Sequence, residues 1–292
     1  MATHATDSKQ PYFVPAPSVW PFLLTVGLAA TLLGVSHLLE GKAFTTVPLI
    51  AGVVIAVAII FMWFRDVVSE SETGKYGAQV DMTYRWGMGW FIFSEVMFFA
   101  AFFGALFYAR HMALPWLGGA GEKLSTNLLL WPDFENTWPT NGPGEIGGDF
   151  ETVSAWGLPF INTLLLLSSG VTITIAHHAL KDAKRLKCII FMWATVALGA
   201  TFLYFQAEEY IHAYHELNLT LGSGIYGSTF FMLTGFHGMH VTLGTFMLIV
   251  ITLRLMKGHF KPDSHFGFEG VAWYWHFVDV VWVGLFVFVY IL

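Results

Sequence analysis

Residues 46–64 read TVPLIAGVVIAVAIIFMWF, and the run closes on Arg65-Asp66. No charge interrupts it. An α-helix rises about 1.5 Å per residue, so about 20 mainly apolar residues are needed to cross a hydrocarbon core of about 30 Å. This run meets that requirement, and working outward from it gives six more of the same kind. The seven expected spans are roughly 18–39, 46–68, 82–110, 155–180, 186–212, 222–256 and 267–291. Several exceed the minimum length, which implies tilt or extension past the bilayer. None alternates apolar and polar residues, which speaks against a membrane barrel. The expected fold is all-α: a polytopic membrane protein with seven transmembrane helices in a single membrane domain over 1–292.

Composition agrees. Of the 292 residues, 55% are hydrophobic and only 12% charged, against about 25% charged in soluble domains. The one cysteine, Cys188, rules out an internal disulfide framework and a cysteine-clustered metal site. A net charge of −6 without any Lys/Arg run speaks against nucleic-acid binding. Met1 to Pro17 form a polar tail with no apolar core, so the first span is expected to stay as a membrane helix rather than be cleaved.

Orientation follows from the basic residues. With the N-terminus in the cytoplasm, the tail and the connections after spans two, four and six hold every Lys and Arg except Lys42, Arg110 and Lys123. The positive-inside rule then places the N-terminus in the cytoplasm and the C-terminus outside. The 112–154 connection is long and rich in Gly, Pro, Trp and acidic residues, including Trp131-Pro132-Asp133 and Asn141-Gly142-Pro143-Gly144. It reads as an ordered outer-side loop lying over the complex or a neighbour, the alternative being a floppy insertion.

Ionisable groups inside spans are costly and each is a functional candidate. Glu95 lies deep in span three, within Trp90-Phe91-Ile92-Phe93-Ser94-Glu95-Val96-Met97-Phe98-Phe99. An isolated carboxyl group among those phenylalanines is expected to keep its proton; the alternative is a carboxylate held by hydrogen bonds from a neighbouring helix. Candidate partners at similar depth are His237 and His240 in span six, and His276 and Asp279 in span seven. His237 and His240, three apart, share a helix face and are placed to point at one neighbour. Two readings of this set stay open. Converging histidines backed by carboxylates suit a metal or haem, although the chain has no Glu-x-x-His repeat of the di-iron kind and no Cys-x-x-Cys-His. The other reading is interhelical hydrogen bonding that ties spans three, six and seven together. His177-His178 and Lys181 read as cations favoured at a helix C-terminus, and Glu208 and Glu209 as groups meeting headgroups, water or another subunit.

Most tryptophans fall at expected interfaces or in the outer loop, as membrane aromatic belts do. Trp63-Phe64-Arg65-Asp66 ends span two, and Arg254 with Lys257 ends span six on the same side. Guanidinium groups pair with phosphate, and indoles pack beside glycerol and acyl chains, so these residues suit lipid headgroups. Simple snorkelling of the side chains also accounts for them.

A resemblance runs almost end to end. It is carried by Ser18-Val19-Trp20-Pro21, Trp63-Phe64-Arg65-Asp66-Val67, Phe93-Ser94-Glu95-Val96-Met97-Phe98-Phe99 and Ala176-His177-His178. Gln206-Ala207-Glu208-Glu209-Tyr210, Thr234-Gly235-Phe236-His237-Gly238-Met239-His240 and Trp273-Tyr274-Trp275-His276-Phe277-Val278-Asp279 extend it. In order and completeness these segments resemble subunit III of the haem-copper cytochrome c oxidases, in its bacterial form.

The resemblance implies seven helices in two groups, one–two (18–68) and three–seven (82–291), with a lipid-filled cleft. It implies no catalytic residue, no metal, and neither haem nor copper in this chain; those cofactors belong to partner subunits. Glu95 matches the family's carbodiimide-reactive intramembrane glutamate. Trp63, Arg65, Glu70 and Arg254 match positions near bound phospholipids. The implied partners are oxidase subunit I, as the main contact, subunit II, membrane phospholipids, and cytochrome c as electron donor to the complex. The implied role is to support subunit I, proton uptake and sustained turnover, with a lipid-lined route for oxygen, in the bacterial cytoplasmic membrane with a periplasmic C-terminus. Phe64 and Ser69 depart from the family pattern. An independent transporter using Glu95 and the histidines as a proton relay is the competing reading.

Overall fold

The computed structural model describes residues 17–41 and 46–292. The tail up to residue 16, with Lys9, and the connection holding Lys42 lie outside the described residues. Among the described residues there are seven long apolar helices: α1 (Trp20–Leu39), α2 (Thr46–Glu72), α3 (Ala78–Tyr108), α4 (Leu158–Lys181), α5 (Arg185–His215), α6 (Gly224–Lys257) and α7 (Phe266–Leu285). Each is long and apolar enough to span a bilayer, and none of the described residues forms a strand.

Several helices outrun the hydropathy windows. α2 continues to Glu72, α3 begins at Ala78, and a π-helical turn (Ala109–Ala113) carries α3 on to Leu117 before Gly118-Gly119 stops it. Hydropathy reports only the part of a helix in hydrocarbon, whereas the backbone ladder runs on until a breaking residue intervenes. The chain divides into two compact units, Met1–Tyr84 and Arg85–Leu292.

In the first unit α1 packs on α2 through small residues. The buried positions of α1 are Gly27 and Gly34, and those of α2 are Gly52, Ala56 and Ile59. A methyl group at Gly34 would stand 2.5 Å from the Leu49 backbone, and one at Gly52 would strike the backbone of Thr31. In lipid no hydrophobic force drives helices together, so close backbone approach through glycine supplies the van der Waals contact that does. The remaining faces, with Phe22, Leu32, Ile50 and Phe61, are exposed apolar surface.

In the second unit α4, α5, α6 and α7 form a ring of neighbours, α4 closing on α7. Its centre is built around Trp275 and Trp282, both fully buried. Each indole N–H is satisfied by a hydroxyl on α4: Trp275 Nε1 donates to Ser169 Oγ at 2.8 Å and Trp282 Nε1 to Thr163 Oγ1 at 2.9 Å. Those hydroxyls in turn donate to the carbonyls of Leu166 and Pro159 one turn back. Thr172 meets Thr195 at 2.8 Å between α4 and α5, and Tyr210 meets Thr234 at 2.7 Å between α5 and α6. Paired hydroxyls of this kind join helices without leaving polar atoms facing hydrocarbon. α3 docks through long aromatic side chains, Phe98 against Phe236 and Phe99 against Phe277.

The 112–154 segment is organised by its own polar side chains. Its two-turn helix Leu124–Leu130 is tied down by the Asn127 amide, which donates to the carbonyls of Leu117 at 3.0 Å and Trp131 at 2.9 Å. Asn218, before α6, donates to the carbonyls of Gly147 and Asp149, and Phe150 stacks on Tyr226. Gly224 opens α6 at φ 62°, and the backbone of Asn141 lies where its Cβ would be. Only glycine meets both conditions.

Candidate functional site

Glu95 projects from α3 toward α6, where His240 Nε2 lies 2.9 Å from its Oε2. The other ring nitrogen, Nδ1, donates to the carbonyl of Phe236 at 2.6 Å. A carbonyl only accepts, so the Nδ1 proton is committed. Nε2 of a neutral His240 is then a lone pair, and the carboxyl of Glu95 must donate to it. With one proton moved across, the same contact is a carboxylate–imidazolium pair. Either way the two groups share a single mobile proton.

The pair stands in an aromatic enclosure. Phe99 lies 5.0 Å from the His240 ring, and Phe98, Tyr274 and Phe277 complete the surround. The His240 side chain is 6% exposed and that of Glu95 22%. Ser94, the adjacent polar residue, spends its hydroxyl on the carbonyl of Phe91 at 2.7 Å. Such surroundings strengthen a hydrogen bond and discourage a chain of water.

His237 does not join this pair. Its Nε2–H donates to the carbonyl of Val278 on α7 at 3.2 Å, with its ring against Trp282. Residues three apart are separated by about 60° around a helix. That angle sends His240 to α3 and His237 to α7, whereas the shared face had suggested one neighbour for both. His276 is half-exposed, its Nδ1 3.6 Å from Asp279 Oδ2 and its Nε2 3.4 Å from Thr174 Oγ1 on α4. Asp279 is buried, closely apposed to Gly170 of α4. The four residues thus meet three different helices and do not converge on one centre.

The other candidates divide between the two units. In the first, Trp63 is half-buried and Arg65 exposed near the end of α2. The Glu70 carboxylate accepts from the Tyr76 hydroxyl at 2.8 Å, and Tyr84 donates to Tyr76 at 3.3 Å. Burial, then these hydrogen bonds, push the Tyr76 hydroxyl above its ordinary range. In the second unit Arg254 lies over the Phe260 ring at 4.7 Å.

Two groups differ from the sequence reading. Glu208 is exposed, but Glu209 is only 1% exposed. It accepts from the Tyr290 hydroxyl at 2.6 Å and from the Gln206 amide at 3.4 Å, so it turns inward instead of meeting headgroups. Adjacent helical residues point about 100° apart, so one of such a pair faces the bundle. His177, read as a charge at a helix end, instead meets His265 and Glu269. The spacing of His265 and Glu269, one turn apart at the start of α7, was the signal available in the sequence.

A seven-helix polytopic membrane protein whose intramembrane polar groups join helix to helix is the class these features define. The family model for cytochrome c oxidase subunit III matches residues 10–292. Curated relatives bearing the name cytochrome c oxidase subunit 3 include one from Marchantia polymorpha, 40% identical and covering 98% of both chains. Those from Hippopotamus amphibius and Arabidopsis thaliana are each 39% identical, covering 99% and 97% of this chain and 98% and 97% of their own. The chain belongs to the cytochrome c oxidase subunit III family.

Proposed function

We propose that this chain is a non-redox accessory subunit of a respiratory cytochrome c oxidase. It stabilises subunit I as its main contact, alongside subunit II, and supports proton uptake and sustained turnover. It holds phospholipids between helices and offers oxygen a lipid-lined approach. Haem and copper sit in the partner subunits, and cytochrome c supplies the electrons. The Lys/Arg distribution supports a bacterial cytoplasmic membrane location with a cytoplasmic N-terminus and a periplasmic C-terminus.

The observation that carries this reading is the Glu95–His240 pair. Its atoms are paired with each other inside an aromatic enclosure, as a helix-joining contact requires. A relay would need further polar groups leading away from it toward both surfaces. Purification in a gentle detergent should bring down haem- and copper-bearing partners with the chain, and the chain alone in liposomes should carry no proton flux. Proton flux from the isolated chain would establish the transporter reading.

Arg65 and Arg254 support the lipid role, because guanidinium groups pair with headgroup phosphate. Arg65→Ala with Arg254→Ala should lower the tightly bound phospholipid of the purified complex. Phosphorus content after delipidating washes is the measurement, and an unchanged value would remove these residues from the lipid sites.

A further inference from the structure

At the end of the second unit where α4 finishes and α7 begins, three ligand atoms face one another. His177 comes from the last turns of α4, His265 precedes the first turn of α7, and Glu269 lies one turn further on the same face. His177 Nε2 lies 3.2 Å from His265 Nε2 and 3.5 Å from Glu269 Oε1, and His265 Nε2 lies 3.3 Å from that oxygen. A tetrahedral zinc site with arms of about 2.0–2.1 Å has ligand-to-ligand edges of about 3.3–3.4 Å. The triangle has those edges.

Hydrogen bonding among the three leaves a mismatch. His265 Nδ1 donates to the carbonyl of Lys261 at 3.1 Å, so in the neutral ring Nε2 is a lone pair. It faces Glu269 Oε1, which also only accepts when ionised. One proton on His177 Nε2 can serve one of these two acceptors, not both. A cation at the common focus, either a second proton or a metal ion, would face all three acceptor atoms at once. Outer contacts of the kind that orient metal ligands are already in place: the Lys261 carbonyl fixes the His265 ring, and Arg85 of α3 pairs with the other carboxylate oxygen of Glu269. His178 and Lys181 on the same helix end are exposed. His177 is partly open, leaving room for a fourth ligand such as water.

We infer that His177, His265 and Glu269 form a binding site for a divalent cation of the zinc class, joining the end of α4 to the start of α7. Two imidazoles and one carboxylate are a borderline donor set that favours zinc over magnesium or calcium. This goes beyond the accessory role proposed above and revises the expectation of a chain without metal. The site is structural and closes a helix junction; no redox chemistry is assigned to it.

The test uses the purified complex containing this chain, stripped with chelator and then dialysed against zinc. Parent complex should take up one more zinc than complexes carrying His265→Ala or Glu269→Gln, with subunit content verified on gels. Equal uptake by parent and variants that retain the subunit would overturn the site. Should the variants lose the subunit, the parent alone decides: zinc should protect His177 and His265 from diethylpyrocarbonate, read by peptide mass spectrometry, while the exposed His178 stays reactive. Labelling of His177 and His265 that zinc does not change would mean that the focus holds a proton only, and the inference would fall.

Discussion

Trp275→Ala should detach or unfold this chain more severely than any other single truncation in the bundle. The indole is wholly buried, and two glycines make room for it: a methyl at Gly199 would stand 2.7 Å from the ring, and one at Gly244 2.9 Å. The alanine leaves a cavity that rigid helices cannot close, and Ser169 loses the N–H it accepts from. Core Trp→Ala changes in soluble proteins cost about 3–5 kcal/mol. In a bilayer the transfer part of that sum shrinks, because lipid is as apolar as the core; the cavity and hydrogen-bond parts stay, so about 2–4 kcal/mol is expected. Thermal unfolding of the purified complex, followed by subunit retention, measures it. Trp275→Phe keeps most of the ring volume and should fall between the two. An alanine variant as stable as its parent would show that the core is not organised around this residue.

The second large effect belongs to Glu95. Replacing it with leucine leaves His240 Nε2 unpaired inside an aromatic enclosure, and an orphaned buried polar group costs about 1–3 kcal/mol. The partial exposure of Glu95 places the value toward the lower end. His240→Leu should cost a similar amount, and the double variant less than the sum, because contacting residues are coupled. Glu95→Gln is different: its amide can donate to Nε2, so stability should stay near that of the parent. It also removes the titratable proton. The assembled oxidase carrying Glu95→Gln should reduce oxygen and pump protons near the normal ratio in reconstituted vesicles. Pumping lost while electron transfer persists, with full subunit content, would restore Glu95 as a relay.

These two residues were legible to different degrees. Glu95 stands out in the sequence because a carboxyl group among phenylalanines is costly wherever the helix packs. Trp275 does not, since one tryptophan among twelve carries no mark of burial. Its place follows from Gly199 and Gly244, far away in the chain, and glycines are common in membrane helices for other reasons. Glu209 was misread for a related reason. At the polar end of a span a carboxylate has two comfortable surroundings, water or a buried hydroxyl, and the position of Tyr290 selects between them.

The sequence by itself determined the class, the number of spans, their approximate limits and the family. All of these rest on runs of apolar residues and on local motifs, and the bilayer constrains backbone hydrogen bonding so strongly that a long apolar run has one stable form. Only the tertiary structure decided which polar group meets which. His237 and His240 share a helix face yet reach α7 and α3 separately, and His177 meets a His–Glu pair from the start of α7, far along the chain. A partner atom must be placed within a few tenths of an ångström to make such a contact. That placement comes from the packing of several helices against one another, and spacing along one helix carries no record of it.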